Sequence, residues 1–217
     1  MNEKRPVIAC IGGAFDPPHH GHMALAATLL NHGYADEVWI IPSGARSDKV
    51  CEATTAHRLM MCELMVTTSL RGLPVRIERA DADGELPSEG TAILLEFLGT
   101  RHHDIDFRFV IGADLVSQLP TWRNQEKLRA RGNFLVVPRP GFPDSFETAF
   151  THSVLQPAHA PNLQISSTQI RSLLRDQHSV VGLIPTSVQH YISAYGLYGS
   201  KPPRGDAPLY RGRYLTL

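Results

Sequence analysis

Two histidines three residues apart, His19 and His22, flank Gly21 in the stretch "CIGGAFDPPHHGHMALAATLL" that follows Ala9. On a helix beginning near Gly21, that spacing sets both imidazoles on one side of the first turn, aimed at whatever sits over its N-terminus. The free N–H groups and positive dipole end of such a turn suit an anion. Gly12 and Gly13 close the preceding apolar strand, where they are expected to give a tight turn and a close approach to a ligand. Glycines and imidazoles together point to a phosphate. Zinc would need a third or fourth His, Cys or carboxylate at ligand spacing, which this stretch lacks, so no metal is expected on the histidines.

A second constellation lies near the other end of the chain. In "ISSTQIRSLL", Ser166, Ser167 and Thr168 stand just before a helical run, and Arg171 follows three residues after the last of them. Any of the hydroxyls can cap the helix or donate to an anion, and the arginine can add a charge-assisted fork.

Positioning two anion sites so far apart in sequence requires a scaffold that returns the chain to one edge. Apolar runs of strand length recur at "VIACIG", "EVWIIP", "PVRIE", "FRFVIG" and "NFLVVP". Between them lie stretches of helical length and periodicity, at 21–33, 55–71, 91–101, 113–131 with a break near Pro120, 168–177 and 186–195. In the first of these Met23, Ala26, Ala27 and Leu30 form the expected buried stripe. The alternation predicts an α/β fold, a doubly wound, Rossmann-like parallel sheet with helices on both faces. Ligands of such sheets sit beyond the carboxyl ends of the strands where strand order reverses, which directs attention to the loops after Ile11, Ile41 and Ile111. Residues 1–198 are expected to form one domain. From Gly199 the chain turns Pro/Gly-rich and loses periodicity, which reads as an extended tail over 199–217.

The 21 Lys and Arg balance 21 Asp and Glu, and no run of one sign is long enough for a nucleic-acid stripe or a membrane-surface helix. Nucleic acid and membrane are therefore not expected partners. No stretch approaches the roughly 18 apolar residues of a membrane span or the pattern of a signal peptide, and the expected location is the cytoplasm. Cys10, Cys51 and Cys62 are an odd set without a pairing motif, as expected of free thiols in a reducing compartment.

"GAFDPPHHGH" resembles the G-x-F-D-P-x-H-x-G-H signature of the nucleotidylyltransferase superfamily. The resemblance implies that His19 and His22 stabilise a nucleotide's α-phosphate during transfer, with His20 at the variable position between them. Phe15 and Asp16 would shape the loop, and Pro17 and Pro18 would stiffen it. "ISSTQIR" resembles the I-S-S-T-x-I-R motif of the same superfamily, which grips the β- and γ-phosphates of ATP, here through Ser166, Ser167, Thr168 and Arg171. Lys49 in "IPSGARSDK" corresponds to a lysine on the phosphate side.

"GADLVSQLPTW" resembles a segment of the nicotinate and nicotinamide mononucleotide adenylyltransferases. That implies ATP-ribose contacts from Gly112 and Asp114, and stacking of Trp122 on a pyridine ring, which a flat cationic ring favours. Gly12, Gly13, Ala14 and Phe15 complete the implied ATP contacts. "VVPRPGF" and "GLIPTSVQHYISAYGLY" are similar to segments of the bacterial nicotinate mononucleotide enzymes, so that the resemblance runs from residue 7 to about 198. Within the first of these segments Arg139 is a candidate for the substrate phosphate or for a structural role.

The implied reaction is in-line attack by the 5′-phosphate of a pyridine mononucleotide on the α-phosphorus of ATP, with Mg²⁺ on the pyrophosphate oxygens. One departure concerns the acceptor. The bacterial enzymes commonly carry Tyr-Thr-x-x-Thr at the start of their third helix to recognise the pyridine carboxylate, whereas this chain reads "EGTAILLEFL". Thr91 matches the first threonine, while Gly90 and Leu94 replace the tyrosine and the second threonine. Nicotinate mononucleotide remains the expected acceptor. Nicotinamide mononucleotide or phosphopantetheine as acceptor, and a nucleotide-binding module without turnover, are the other readings.

Overall fold

In the computed structural model, which describes residues 5–45, 50–86, 90–143, 145–161 and 164–201, the first strand, β1 (Val7–Gly13), is buried from Val7 to Ile11. Burial without alternation marks a strand covered on both faces. It pairs in parallel with β2 (Glu37–Pro42) on one side and β4 (Asp106–Gly112) on the other. With β3 (Val75–Ile77), β5 (Asn133–Val137) and β6 (Thr151–Val154) the sheet runs β3-β2-β1-β4-β5-β6, every pair parallel. This is the doubly wound order, with the reversal between β1 and β4.

Strand alternation divides the core between the two faces. Val7, Ala9, Ile11, Val38 and Ile40 pack in one cluster with residues of α1 (His20–Asn31), α2 (Thr55–Leu64), α6 (Ser167–Arg175) and α7 (Thr186–Tyr195). Ile8, Cys10, Trp39, Ile41, Phe107 and Phe109 pack in the other with residues of α3 (Thr91–Arg101), α4 (Ala113–Val116) and α5 (Gln125–Arg131). Cys10 and Cys62 are buried and, with Cys51, free; burial pushes the two buried thiols far up in pKa. Among the described residues, no helix is long and apolar enough to cross a membrane.

The break expected near Pro120 in the run at 113–131 is present, as a 3-10 turn at Leu119–Thr121 between α4 and α5, whose leading Asn124 has φ 57°. Other local expectations are corrected. The run at 55–71 is α-helical only to Leu64 and continues as a π turn over Met65–Ser69. In α1 the buried positions are Ala26 and Leu29, with Met23 and Leu30 only partly covered. β6, "THSV", adds a strand that no apolar run announces, a short polar edge strand whose residues alternate between exposed and half-buried. At the C-terminus, the Gln177 side chain donates to the Gly199 carbonyl (2.8 Å) and the Ser200 hydroxyl to Ile192 (3.1 Å). Residues 202–217 of the expected tail lie outside the described residues.

Candidate active site

At the carboxyl end of β1, Gly12 and Gly13 still belong to the strand and neither has positive φ. The residue that turns the chain is Phe15, at φ 51°. Gly12 serves close packing instead: a Cβ there would stand 2.6 Å from Cζ of Phe109 on the neighbouring strand. The turn then delivers His19 to the cap position of α1 in extended conformation.

His22, one turn in, accepts the His19 backbone N–H at Nδ1 (3.1 Å), and the two rings stack with centroids 3.8 Å apart. The Phe15 ring leans on His22 at 4.7 Å. Because Nδ1 of His22 is an acceptor, the neutral ring carries its proton on Nε2. Burial, assisted by the charge of His20, pushes the His19 pKa down to about 4; burial, assisted by His19, holds His22 well below the ordinary imidazole range. Both rings are therefore neutral at pH 7. Nδ1 of His19 is buried without a hydrogen-bond partner among the described residues. His20 points elsewhere: its ring pairs with the Gly182 carbonyl (2.8 Å) and its N–H donates to Leu183 (2.9 Å), tying the helix start to the loop before α7.

Asp16, buried to 3% exposure, anchors the loop. Its carboxylate accepts the backbone N–H groups of Glu52 (2.8 Å) and Ala53 (3.1 Å) and the Tyr198 hydroxyl (2.7 Å). The second motif docks on the same loop. Ser166 caps α6 by accepting the Gln169 N–H, the Ser167 hydroxyl donates to the Pro17 carbonyl (2.8 Å), and Arg171 Nη1 donates to the Asp16 carbonyl (2.8 Å). Arg171 Nε meets Glu52 Oε1 at 2.7 Å, and Arg175 pairs with the same oxygen. Thr168 is exposed on the first turn of α6. Residues some 150 positions apart are thus brought together, with part of their hydrogen bonding directed at the loop itself.

A cavity of about 520 Å³ opens beside the glycines of β1. Gly12 and Gly13 form one wall; Thr91 and Leu94 of α3 and Trp122 form others. Trp122 is half-buried, its ring edge-on to Phe134 at 6.3 Å. Gly90, at φ 121°, is the cap residue of α3, and with Thr91 and Leu94 it places the first turn of that helix against the cavity. At the end of β4, Asp114 and Arg139 form an ion pair of 2.9 Å rather than standing apart. Lys49 lies outside the described residues.

Two residues with no sequence signal also belong here. Ser43 is 5% exposed, lines the cavity and has a buried hydroxyl without a partner among the described residues. Arg58 is 1% exposed and donates to the carbonyls of Ala14 and Gly44. An arginine in a helical run ordinarily keeps its head in water, which is why its type alone says nothing. Among the described residues no group of three or more His, Cys, Asp or Glu side chains is arranged to hold a metal. Neutral N–H donors gathered at one helix start can stabilise the charge of an anion placed there.

Residues 10–173 match the cytidylyltransferase-like family. The chain is 35% identical over 201 residues to a Geobacillus thermodenitrificans protein named "probable nicotinate-nucleotide adenylyltransferase", covering 92% of this chain and 89% of that one. It is 33% identical over 195 residues to the nicotinate-nucleotide adenylyltransferase of Bacillus subtilis, covering 89% of this chain and 98% of the relative. The fold is similar to that of Plasmodium falciparum nicotinic acid mononucleotide adenylyltransferase, solved with NaAD (TM-score 0.74, 23% identity, 91% of this chain and 100% of that one).

Proposed function

This chain belongs to the nicotinate-nucleotide adenylyltransferases of the cytidylyltransferase-like family, and from that premise we propose that it transfers AMP from ATP to nicotinate mononucleotide, releasing pyrophosphate. The observation that carries the reading is the stacked, neutral His19–His22 pair at the N-terminus of α1, joined through the Phe15 ring to Gly13, which lines the cavity walled by Trp122 and the start of α3.

The 5′-phosphate of the mononucleotide is already a competent nucleophile, so no side chain needs to form a covalent bond. It attacks the α-phosphorus in line, the α–β bridging bond breaks, and the electron pair leaves with pyrophosphate. The protein's part is alignment and stabilisation of charge on the α-phosphoryl oxygens. With Nδ1 held by the backbone, Nε2–H of His22 is the donor available to such an oxygen, and a ring neutral at pH 7 keeps that proton. His19 acts beside it.

Ser166, Ser167, Thr168 and Arg171 at the start of α6 would receive the β- and γ-phosphates, Gly112 and Asp114 the ATP ribose, and Lys49 would serve on the phosphate side of the substrate. Trp122 would stack on the pyridine ring, with Thr91 and the first N–H groups of α3 holding its carboxylate. Arg139, paired with Asp114, would reach the acceptor phosphate.

Nucleotidyltransferases of this kind generally use a divalent metal with ATP. Mg²⁺ would enter as MgATP, part of the substrate, held by phosphate oxygens and water. The site of action would be the cytoplasm.

The test is pyrophosphate release from ATP with nicotinate mononucleotide, nicotinamide mononucleotide and phosphopantetheine offered separately. Turnover fastest with nicotinate mononucleotide is expected; turnover only with phosphopantetheine, or with none of the three, would overturn the reading.

A further inference from the structure

Among the described residues Arg58 is a buried arginine, 1% exposed, and it donates to the loops that frame the site. Its Nη1 donates to the Ala14 carbonyl (2.7 Å), and its Nη2 to the Gly44 carbonyl (3.1 Å) and the Thr55 hydroxyl (3.0 Å). Nε is buried without a partner among the described residues. The three acceptors are two carbonyls and a hydroxyl, so none of these bonds neutralises the guanidinium.

The two carbonyls belong to the loops after β1 and β2, the neighbouring strands at the sheet's centre. In a planar trans peptide the C=O and the following N–H point to opposite sides. Drawing the Ala14 carbonyl down onto Arg58 therefore turns the Phe15 N–H up, and drawing down the Gly44 carbonyl does the same for the Ala45 N–H. Neither N–H is hydrogen-bonded among the described residues. The positive φ of Phe15 belongs to the same local geometry. The loops meet directly as well, through the Ser43 N–H on the Gly13 carbonyl (2.9 Å).

We propose that Arg58 is a positioning residue for adenylyl transfer: its fork turns the Phe15 and Ala45 N–H groups outward as donors to the anionic oxygens of the nucleotide, with a fixed buried cation behind them. The proposal rests on the nucleotide site described above, though not on the identity of the acceptor. Peptide donors held from below in this way need no rearrangement as charge develops, and the cation strengthens each through its field.

The test compares Arg58→Met, of similar length without charge, and Arg58→Lys, which keeps the charge but puts all its donors on one nitrogen and so cannot reproduce the planar fork. Titration calorimetry with ATP and with adenosine, which has no phosphate, is combined with kcat for pyrophosphate release. Arg58→Met should weaken ATP binding about 30-fold or more and leave adenosine within about twofold, while Arg58→Lys falls between, about three- to tenfold for ATP. Equal losses for ATP and adenosine, or unchanged ATP affinity and kcat in either folded variant, would overturn the proposal. If Arg58→Met does not fold by circular dichroism, the ATP-to-adenosine contrast in Arg58→Lys bears the test; if neither folds, Arg58 is a folding residue and the proposal fails. Absence of wild-type turnover with nicotinate mononucleotide, alongside the expected ATP-to-adenosine contrast, would sink the acceptor assignment and leave Arg58 in its role.

Discussion

The imidazole of His19 folds back over Gly21 so closely that a Cβ at Gly21 would stand 2.9 Å from Nδ1 and 3.0 Å from Cε1. The glycine between the two histidines is thus the floor on which the first one rests, and the His19–His22 stack depends on it. Gly21→Ala should lower kcat about 10- to 100-fold by displacing the ring, while the gain in helix propensity keeps stability within roughly 1 kcal/mol. Unchanged kcat in a folded variant would show that the His19 position is not used.

His22→Ala should lower kcat by about two to four orders of magnitude with ATP affinity within roughly tenfold, because its hydrogen bond strengthens as charge builds in the transition state. His19→Ala should act in the same direction, more mildly. Steady-state kinetics combined with ATP titration separates the two effects.

The His19 pKa, pushed down to about 4 from 6.5 by burial, makes stability fall with acid. Between those values the unfolded chain takes up a proton that the native state refuses, so stability is full above pH 6.5 and declines as pH falls towards 4. At pH 4.5 the loss from this group is about 2 to 3 kcal/mol. Urea denaturation at several pH values should give a shallower acid slope for His19→Asn than for the wild type; equal slopes would remove His19 from the account.

Arg171 shares Nε with Glu52, so a pyrophosphate reaching this arginine competes with a resident carboxylate. Glu52→Gln should tighten pyrophosphate and ATP binding about three- to tenfold, whereas Arg171→Ala should weaken both by about 1.5 to 3 kcal/mol and AMP far less. Calorimetry with the three ligands checks both directions. Equal loss for ATP and AMP in Arg171→Ala would place the arginine away from the β- and γ-phosphates.

Leu94 lines the cavity at the position where the bacterial pattern has a threonine, so in the proposed acceptor site Thr91 and the helix N-terminus would be left to favour an anionic pyridine substituent. Preference for nicotinate over nicotinamide mononucleotide should be about 5- to 30-fold smaller than a second hydroxyl would give, and Thr91→Val should narrow it further without affecting ATP. The ratio of kcat/KM for the two mononucleotides checks this, and a preference for the amide would be the contrary result.

The alternation of apolar runs with helical periods determined the doubly wound sheet and the carboxyl edge at which its loops gather, because strand burial and crossover handedness follow from local pattern. The two motifs were legible for the same reason: glycine, histidine and hydroxyl residues at fixed short spacing announce a helix N-terminus. What they contact was not legible. That Ser167 and Arg171 grip the backbone of Pro17 and Asp16, that Asp114 pairs with Arg139, and that Phe15 rather than a glycine makes the turn are outcomes of packing between elements. Arg58 is the clearest case. An arginine on a helix is ordinarily solvated, and the convergence of the Ala14 and Gly44 carbonyls and the Thr55 hydroxyl makes a buried guanidinium tolerable there, since they supply hydrogen bonds that water would have given.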